Sequence, residues 1–432
     1  MHLIVMSVDA MVYEDLACLR QLPNFRLLLE QGSRVERVRS IYPTLTHPIH
    51  VSIMTGCYPD KTGVCNNEKL SPGNPAPEWY NDLADVKVKT LFHAAKEAGL
   101  TTCACRWPVT AGEHGVIDYL VPEVISEQPG ADPEEPYRRG GSAPVLDTVR
   151  PYLKGNTAGV HPIYDEQEIL IAADLLRKYK PGLLFTHPGY VDNARHQNGL
   201  FNGRVNEALA LTDQWLGLLF QAAKDAGIYE DTNFVVLSDH GHLEIKRTVN
   251  LNAVLADEGL LQLDAAGNLL HWDAWVQSAG LSAQVFLSRS EDASLREQVY
   301  TLLCRLRDEG IYGVESVLTA AEAEADYRLA GDFSFVLESD GYSSFQEDVC
   351  HPVGRPIAET SDYRYGRTTH GHLPEKGPQP PFLCMGPGFR KGVVLEEGRI
   401  VDEAPTLAKL MGLSLPDADG VPMDALLAEG IL

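Results

Sequence analysis

Short apolar runs punctuate the chain at 3–8 (LIVMSV), 183–187 (LLFTH), 234–238 (FVVLS) and 382–386 (FLCMG), rich in β-branched or aromatic residues. Runs of this length without polar alternation predict strands buried on both faces, as in parallel sheets. Between them, 165–179 and 205–226 carry apolar positions at spacings of three and four and stop near a Pro or Gly, predicting amphipathic helices. Strands alternating with helices predict a doubly wound, mostly parallel α/β sheet with helices on both faces.

From 251 to 362 the texture changes. SAQVFLS and DFSFVLES predict strands and SLREQVYTLLCRLRDEG an amphipathic helix, so this region is expected to be an inserted, smaller α+β subdomain. The core would then comprise 1–250 and 363–432. The stretch 123–162, rich in Pro, Gly and Glu, predicts a long surface loop.

Candidate chemistry sits at the strand ends. Asp9 follows the first strand, Asp192 and His196 the second, Asp239 and His240 the third, and His370 lies in TTHGHLPEKGP before the last. Ligands of open α/β sheets bind beyond the carboxyl ends of the strands, so these residues should converge on one rim. Singly, each is more often a surface carboxylate, a cap or a hydrogen-bonded imidazole; their placement after three strands outweighs that. Asp192 and His196 are expected on a turn that presents both to one ion. Three carboxylates and three imidazoles can hold two divalent ions, and mixed N/O ligation suits zinc first, then manganese or iron. Such a pair clamps the attacking and leaving oxygens of a displacement at phosphorus.

Charge strengthens this reading. The net charge of −24 argues against a nucleic-acid polymer or an anionic membrane as partner, so a small phosphorylated substrate needs a local positive source, which bound metals provide. No stretch is apolar for long enough to span a membrane, and the start of the chain has neither a basic leader nor a cleavage site. The eight cysteines lack metal or disulfide spacing and are expected as mostly buried thiols, so the cytoplasm is the expected compartment.

In THPIHVSIMTG, Thr46 reads as the N-cap of a helix with Pro48 in its first turn. The same place suits a nucleophile, because a helix N-terminus favours an alkoxide and an incoming phosphate.

Seven blocks now carry a resemblance: SVDA (7–10), YPTLTHPIHVSIMTGCYPDKTGVCNN (42–67), RWP (106–108), GYVDNARH (189–196), SDHGH (238–242), HGHLPEKGP (370–378) and VDEAPTLAKLMGLSLPDADGVP (401–422). In this order they resemble the alkaline phosphatase superfamily, closest to its type I phosphodiesterase / nucleotide pyrophosphatase branch. The resemblance implies an alkaline phosphatase-like core, one zinc on Asp192, His196 and His370, and another on Asp9, Asp239 and His240, with Thr46 bridging toward the pair. It further implies that Asn67 donates to a phosphoryl oxygen, with Asn66 the competing choice, and that Thr46 forms a phospho-threonine which water hydrolyses.

Departures shape the substrate expectation. His47 stands where nucleotide pyrophosphatases commonly have an aromatic residue, and Arg106 and His187 are candidate substrate contacts beside it. His50, His242 and His372 are either supports of the site, phosphate contacts or ordinary core and surface residues. A threonine at 46 argues against sulfatases, and the lack of lysine between His196 and Lys224 lowers a phosphonoacetate-type hydrolase. The expected activity is hydrolysis of a small phosphodiester or pyrophosphate. A phosphomonoesterase or phosphonate hydrolase is the alternative, and a non-catalytic metal- or phosphate-binding relative stands behind both.

Overall fold

In the computed structural model, which describes residues 1–112, 115–124, 132–153, 157–360 and 362–431, an eight-stranded sheet forms the centre. Its order is Val394–Arg399, Ser33–Arg39, Phe382–Met385, Thr232–Leu237, His2–Ser7, Leu183–Thr186, Thr102–Cys105 and Tyr119–Val121. The three strands that lead into the Asp/His residues are thus adjacent. His2–Ser7 pairs in parallel with both neighbours, Met6 opposite Thr186 on one side and Val236 on the other.

The unalternated apolar runs are explained by two cores. Ile4, Met6, Leu184, Phe234 and Val236 face one cluster, with the helices Pro23–Gln31, Ile163–Tyr179 and Gly203–Asp225. Leu3, Val5, Leu183, Phe185, Val235 and Leu237 face the other, with Thr46–Thr55, Leu91–Glu97 and Glu403–Leu410. A strand packed on both sides needs apolar residues at every position.

Three expectations change. Phe382–Met385 runs antiparallel to both neighbours, although its apolar run reads like the parallel strands. Burial dictates apolarity but carries no mark of direction. The stretch 123–162 contains short helices at Glu135–Gly140 and Leu146–Val149, and its 125–131 and 154–156 lie outside the described residues. The helix of Thr46 begins one residue earlier than read, with Leu45 in extended conformation as its N-cap.

Residues 249–345 gather a separate cluster around Trp275, Val285, Val299, Leu303, Phe335 and Leu337. Its antiparallel sheet runs Ala274–Ala279, Ser282–Leu287, Phe335–Ser339, Val314–Thr319, flanked by the helix Ala293–Glu309. The loop of its first hairpin touches the His370 segment: Leu281 N–H donates to His370 O at 2.9 Å. All eight cysteines are free thiols, five of them buried. Among the described residues no helix is long and apolar enough to cross a membrane.

Candidate metal centre and nucleophile

Because the three central strands end level, the residues that follow them meet on one rim. Asp9 lies two residues beyond His2–Ser7, and Asp239 and His240 two and three beyond Thr232–Leu237. Asp192 and His196 sit on the helix Tyr190–Asn198 rather than on the expected turn, and a spacing of four puts both on one helical face.

The ligand atoms of Asp9, Asp239 and His240 all lie within 4.8 Å of one another, and so do those of Asp192, His196, His370 and His242. His240 Nε2 is 3.2 Å from Asp239 Oδ2 and 3.6 Å from Asp9 Oδ1. In the other group, Asp192 Oδ1 lies 3.4 Å from His196 Nε2 and 3.9 Å from His370 Nε2. The His240 and His370 rings stack at 3.9 Å, so the two groups adjoin. His196 Nδ1 donates to Thr368 O at 2.8 Å and His370 Nδ1 to Thr44 O at 2.9 Å. Carbonyls only accept, so both rings carry their proton on Nδ1 and turn the lone pair of Nε2 to the cluster.

Buried polar atoms without partners test whether cations fit. Asp9 Oδ1, Asp239 Oδ2 and His240 Nδ1 are all buried and unbonded. Burial, and then the Asp239 and Asp192 carboxylates, push the Asp9 carboxyl well above its usual range. That is the signature of clustered negative charge awaiting a counter-charge. Burial also raises Asp192, but the His196, His370, His240 and His161 imidazoles outweigh it and hold the carboxyl low. Burial pushes the His240 and His370 imidazoles well down, toward the neutral form that binds metal. The donor set and its orphaned oxygens therefore fit two divalent ions.

Thr46 stands at the first position of its helix, so that Leu45 and not Thr46 occupies the N-cap. Its Oγ1 lies 3.3 Å from His240 Nε2. The free N–H of His47, one of the four a helix start leaves unpaired, donates to Asn67 Oδ1 at 2.9 Å. That bond settles the flip of the Asn67 amide and leaves its NH2 for another acceptor. Asn66 is committed elsewhere, with Nδ2 donating to Ser278 O and Gln284 Oε1, both at 3.2 Å. His50 supports Thr46 from behind: Nδ1 donates to Thr46 O at 2.7 Å and Nε2 accepts from Ser7 Oγ at 2.9 Å.

The remaining candidates separate. His187 Nε2 lies 3.2 Å from Asp9 Oδ2, at the ligand cluster. His47 is buried against the edge of Trp79, its Nε2 3.3 Å from Glu123 Oε2, and neither ring nitrogen is hydrogen-bonded. Burial raises the Glu123 carboxyl, and His47 outweighs it and holds the group low. Glu123 and Trp79 carry no signal in sequence, lying in Pro- and Glu-rich stretches far from any motif. Arg106 donates to Tyr164 O at 2.6 Å and Tyr137 Oη at 3.1 Å and stacks on Tyr164, so its charge holds Tyr137 and Tyr164 together. His372 is buried, with Nδ1 donating to Leu373 O at 2.8 Å.

Comparisons extend the geometry. The family profile described as type I phosphodiesterase / nucleotide pyrophosphatase matches residues 3–347. Ectonucleotide pyrophosphatase/phosphodiesterase family member 1 of Homo sapiens is 24% identical over 249 residues, 55% of this chain and 23% of that protein. Venom phosphodiesterase 2 of Crotalus adamanteus is 25% identical over 235 residues, 52% of this chain and 24% of its own. The match thus spans about a quarter of the length of these curated relatives. Murine ectonucleotide pyrophosphatase / phosphodiesterase 5 superposes with a TM-score of 0.67 at 18% identity, covering 99% of this chain and 100% of that one. The same protein, solved in an inactive form in complex with AMP, gives 0.68 at 16% identity over the same shares. At these identities the superposition shows the fold alone.

Proposed function

The chain belongs to the type I phosphodiesterase / nucleotide pyrophosphatase family, and from that premise we propose that it is a two-metal phosphoesterase. Its reaction is hydrolysis of a phosphodiester or pyrophosphate bond in a small molecule through a phospho-threonine at Thr46. The observation that carries this reading is the Thr46 hydroxyl, one position past the N-cap and 3.3 Å from His240 Nε2 at the seam between two buried clusters of metal-ligand type.

Asp192, His196 and His370 would hold one ion and Asp9, Asp239 and His240 the other, with zinc the best match to the donors. Two such ions would supply positive charge to acidify the Thr46 hydroxyl and offset the charge of the phosphoryl group. The chain's own residues do the rest. Thr46 Oγ attacks phosphorus, the leaving oxygen departs on the opposite side, and water then attacks the phospho-threonine to restore the hydroxyl. Asn67 donates its NH2 to a non-bridging phosphoryl oxygen, a contact that strengthens as charge develops. The N-terminus of Thr46–Thr55 adds fixed positive potential.

His47, with Glu123 Oε2 3.3 Å from its Nε2, puts a polar ring where the family commonly has an aromatic residue, which favours a polar partner for the phosphate over a stacked base. The 249–345 cluster, touching His370 through Leu281, is read as a cap that helps to shape this pocket. Free thiols agree with a reducing compartment.

The test is hydrolysis of bis-p-nitrophenyl phosphate against p-nitrophenyl phosphate by wild type and Thr46→Ala, each after chelation and zinc re-addition. Expected are zinc-dependent diester cleavage, its loss in Thr46→Ala, and phosphate trapped on Thr46 by acid quench and mass spectrometry. Preference for the monoester would replace the diester reading, and zinc-dependent turnover that survives in Thr46→Ala would remove the nucleophile.

A further inference from the structure

His161 and Asp165 belong to neither ligand group, yet they stand beside them. His161 Nδ1 lies 2.6 Å from Asp165 Oδ2, and Asp165 Oδ1 accepts the Gly189 N–H at 2.6 Å. Gly189 is the N-cap of the helix that carries Asp192 and His196. Having no side chain, it leaves a hollow that the ring shares with the ligand cluster: a Cβ there would lie 3.4 Å from His161 Cε1 and 3.9 Å from Asp9 Oδ2. His161 is also near enough to Asp192 to help to hold that carboxyl low.

The pair exceeds what anchoring needs. Asp165, fully buried, ties its helix to Gly189 through Oδ1 alone. Its other oxygen can only accept, so Nδ1 of His161 is the donor and the ring is held with Nε2 pointing away from the carboxylate. Among the described residues nothing hydrogen-bonds to Nε2, and 14% of the side chain is exposed. An imidazole clamped on one nitrogen by a buried carboxylate and open on the other is built to pass a proton. Burial lowers the His161 imidazole, but Asp165 and then Asp192 outweigh burial and the opposing charge of Arg106, which favours the protonated ring. Tyr164 and Tyr190 are its ring neighbours, at 6.4 and 6.5 Å.

We propose that His161, held by Asp165, is the proton donor to the leaving oxygen. The inference rests on the phosphodiesterase reading. As the bond from Thr46 Oγ to phosphorus forms and that to the leaving oxygen breaks, the Nε2 proton passes to the leaving oxygen, and Nδ1 keeps its own on Asp165. Water enters from the side that the leaving group has vacated, and Nε2 takes a proton from it as its oxygen bonds to phosphorus and the bond to Thr46 Oγ breaks. Thr46, which gives its proton to solvent in the first step, takes one back in the second. One residue facing that side therefore serves both steps, and esters of weakly acidic alcohols and phenols come within reach of the enzyme.

Methyl aryl phosphates whose leaving phenols fall in acidity from p-nitrophenol to phenol test this, with zinc-loaded wild type, His161→Gln and, as blank, Thr46→Ala. Gln can still hydrogen-bond but has no proton to transfer. Expected is a wild-type kcat/KM that falls less steeply along the series than the uncatalysed alkaline hydrolysis of the same esters, and a His161→Gln variant that loses at least about ten-fold more on the phenyl ester than on the p-nitrophenyl ester. An equal loss on every ester would make His161 a support or a phosphate contact and overturn the proposal, as would no loss on any. A wild-type series as steep as the uncatalysed one would overturn it even if the variant failed to fold. Wild type that hydrolyses none of the esters would remove the phosphodiesterase reading and this inference with it, whereas Thr46-dependent turnover with equal losses would remove this inference alone.

Discussion

The neighbouring asparagines 66 and 67 look alike in the sequence, and only their partners tell them apart. Asn67 accepts from the helix N–H next to Thr46 and has donors to spare, whereas Asn66 ties the turn to Ser278 and Gln284. Asn67→Ala should lower kcat/KM about 10²-fold, as loss of one transition-state donor does. Asn66→Ala should leave kcat/KM within a few-fold and lower stability by roughly 1–2 kcal/mol. Steady-state kinetics beside thermal unfolding of both variants decides; a reversed pattern would exchange their roles. His47 poses the same kind of problem, since its chemistry depends on Glu123, 76 positions away by number and 3.3 Å away in space.

At the scale of elements, the site depends on where segments cross. His370 and Gly371 are held between the 44 segment and the hairpin loop at 279–282: Gly371 N–H donates to Thr44 O at 3.0 Å, and Ser282 Oγ donates to Gly371 O at 2.5 Å. Gly371 has φ +93°, and a Cβ there would come 1.6 Å from Ala279 O. Both the conformation and the space demand glycine. Gly371→Ala should cost at least about 2 kcal/mol, because neither backbone can yield without moving the other. It should also displace His370, so the rise in Tm on adding zinc should shrink relative to wild type. Differential scanning fluorimetry with and without zinc measures both; an unchanged zinc response would show that the hairpin loop does not set the position of His370.

For the whole molecule, charge is the dominant quantity. A net −24 repels a phosphorylated substrate over a distance set by the ionic strength, about 30 Å at 0.01 M salt and about 8 Å at 0.15 M. Raising salt over that range should increase kcat/KM at limiting substrate by roughly two-fold or more. A decrease would mean that the local field of the metal-loaded site outweighs that of the surface.

What the sequence by itself determined is the set of buried strands and the chemistry at their ends. Apolar runs such as LIVMSV and FVVLS can only be stable inside, and Asp9, Asp239 and His240 follow them too closely to be carried elsewhere. The family was legible for the same reason, since its motifs are short stretches next to those strands. Local spacing did not reveal the direction of Phe382–Met385, the helix under Asp192 and His196, or the contact of the Thr46 hydroxyl with His240, because each depends on a neighbour remote in the chain. His370 takes its orientation from Thr44, 326 residues away, and His242 meets Asp192 across 50. Tertiary structure alone decided these, because a hydrogen bond depends on where two atoms lie after folding, and a motif records only the type of residue that supplies one of them.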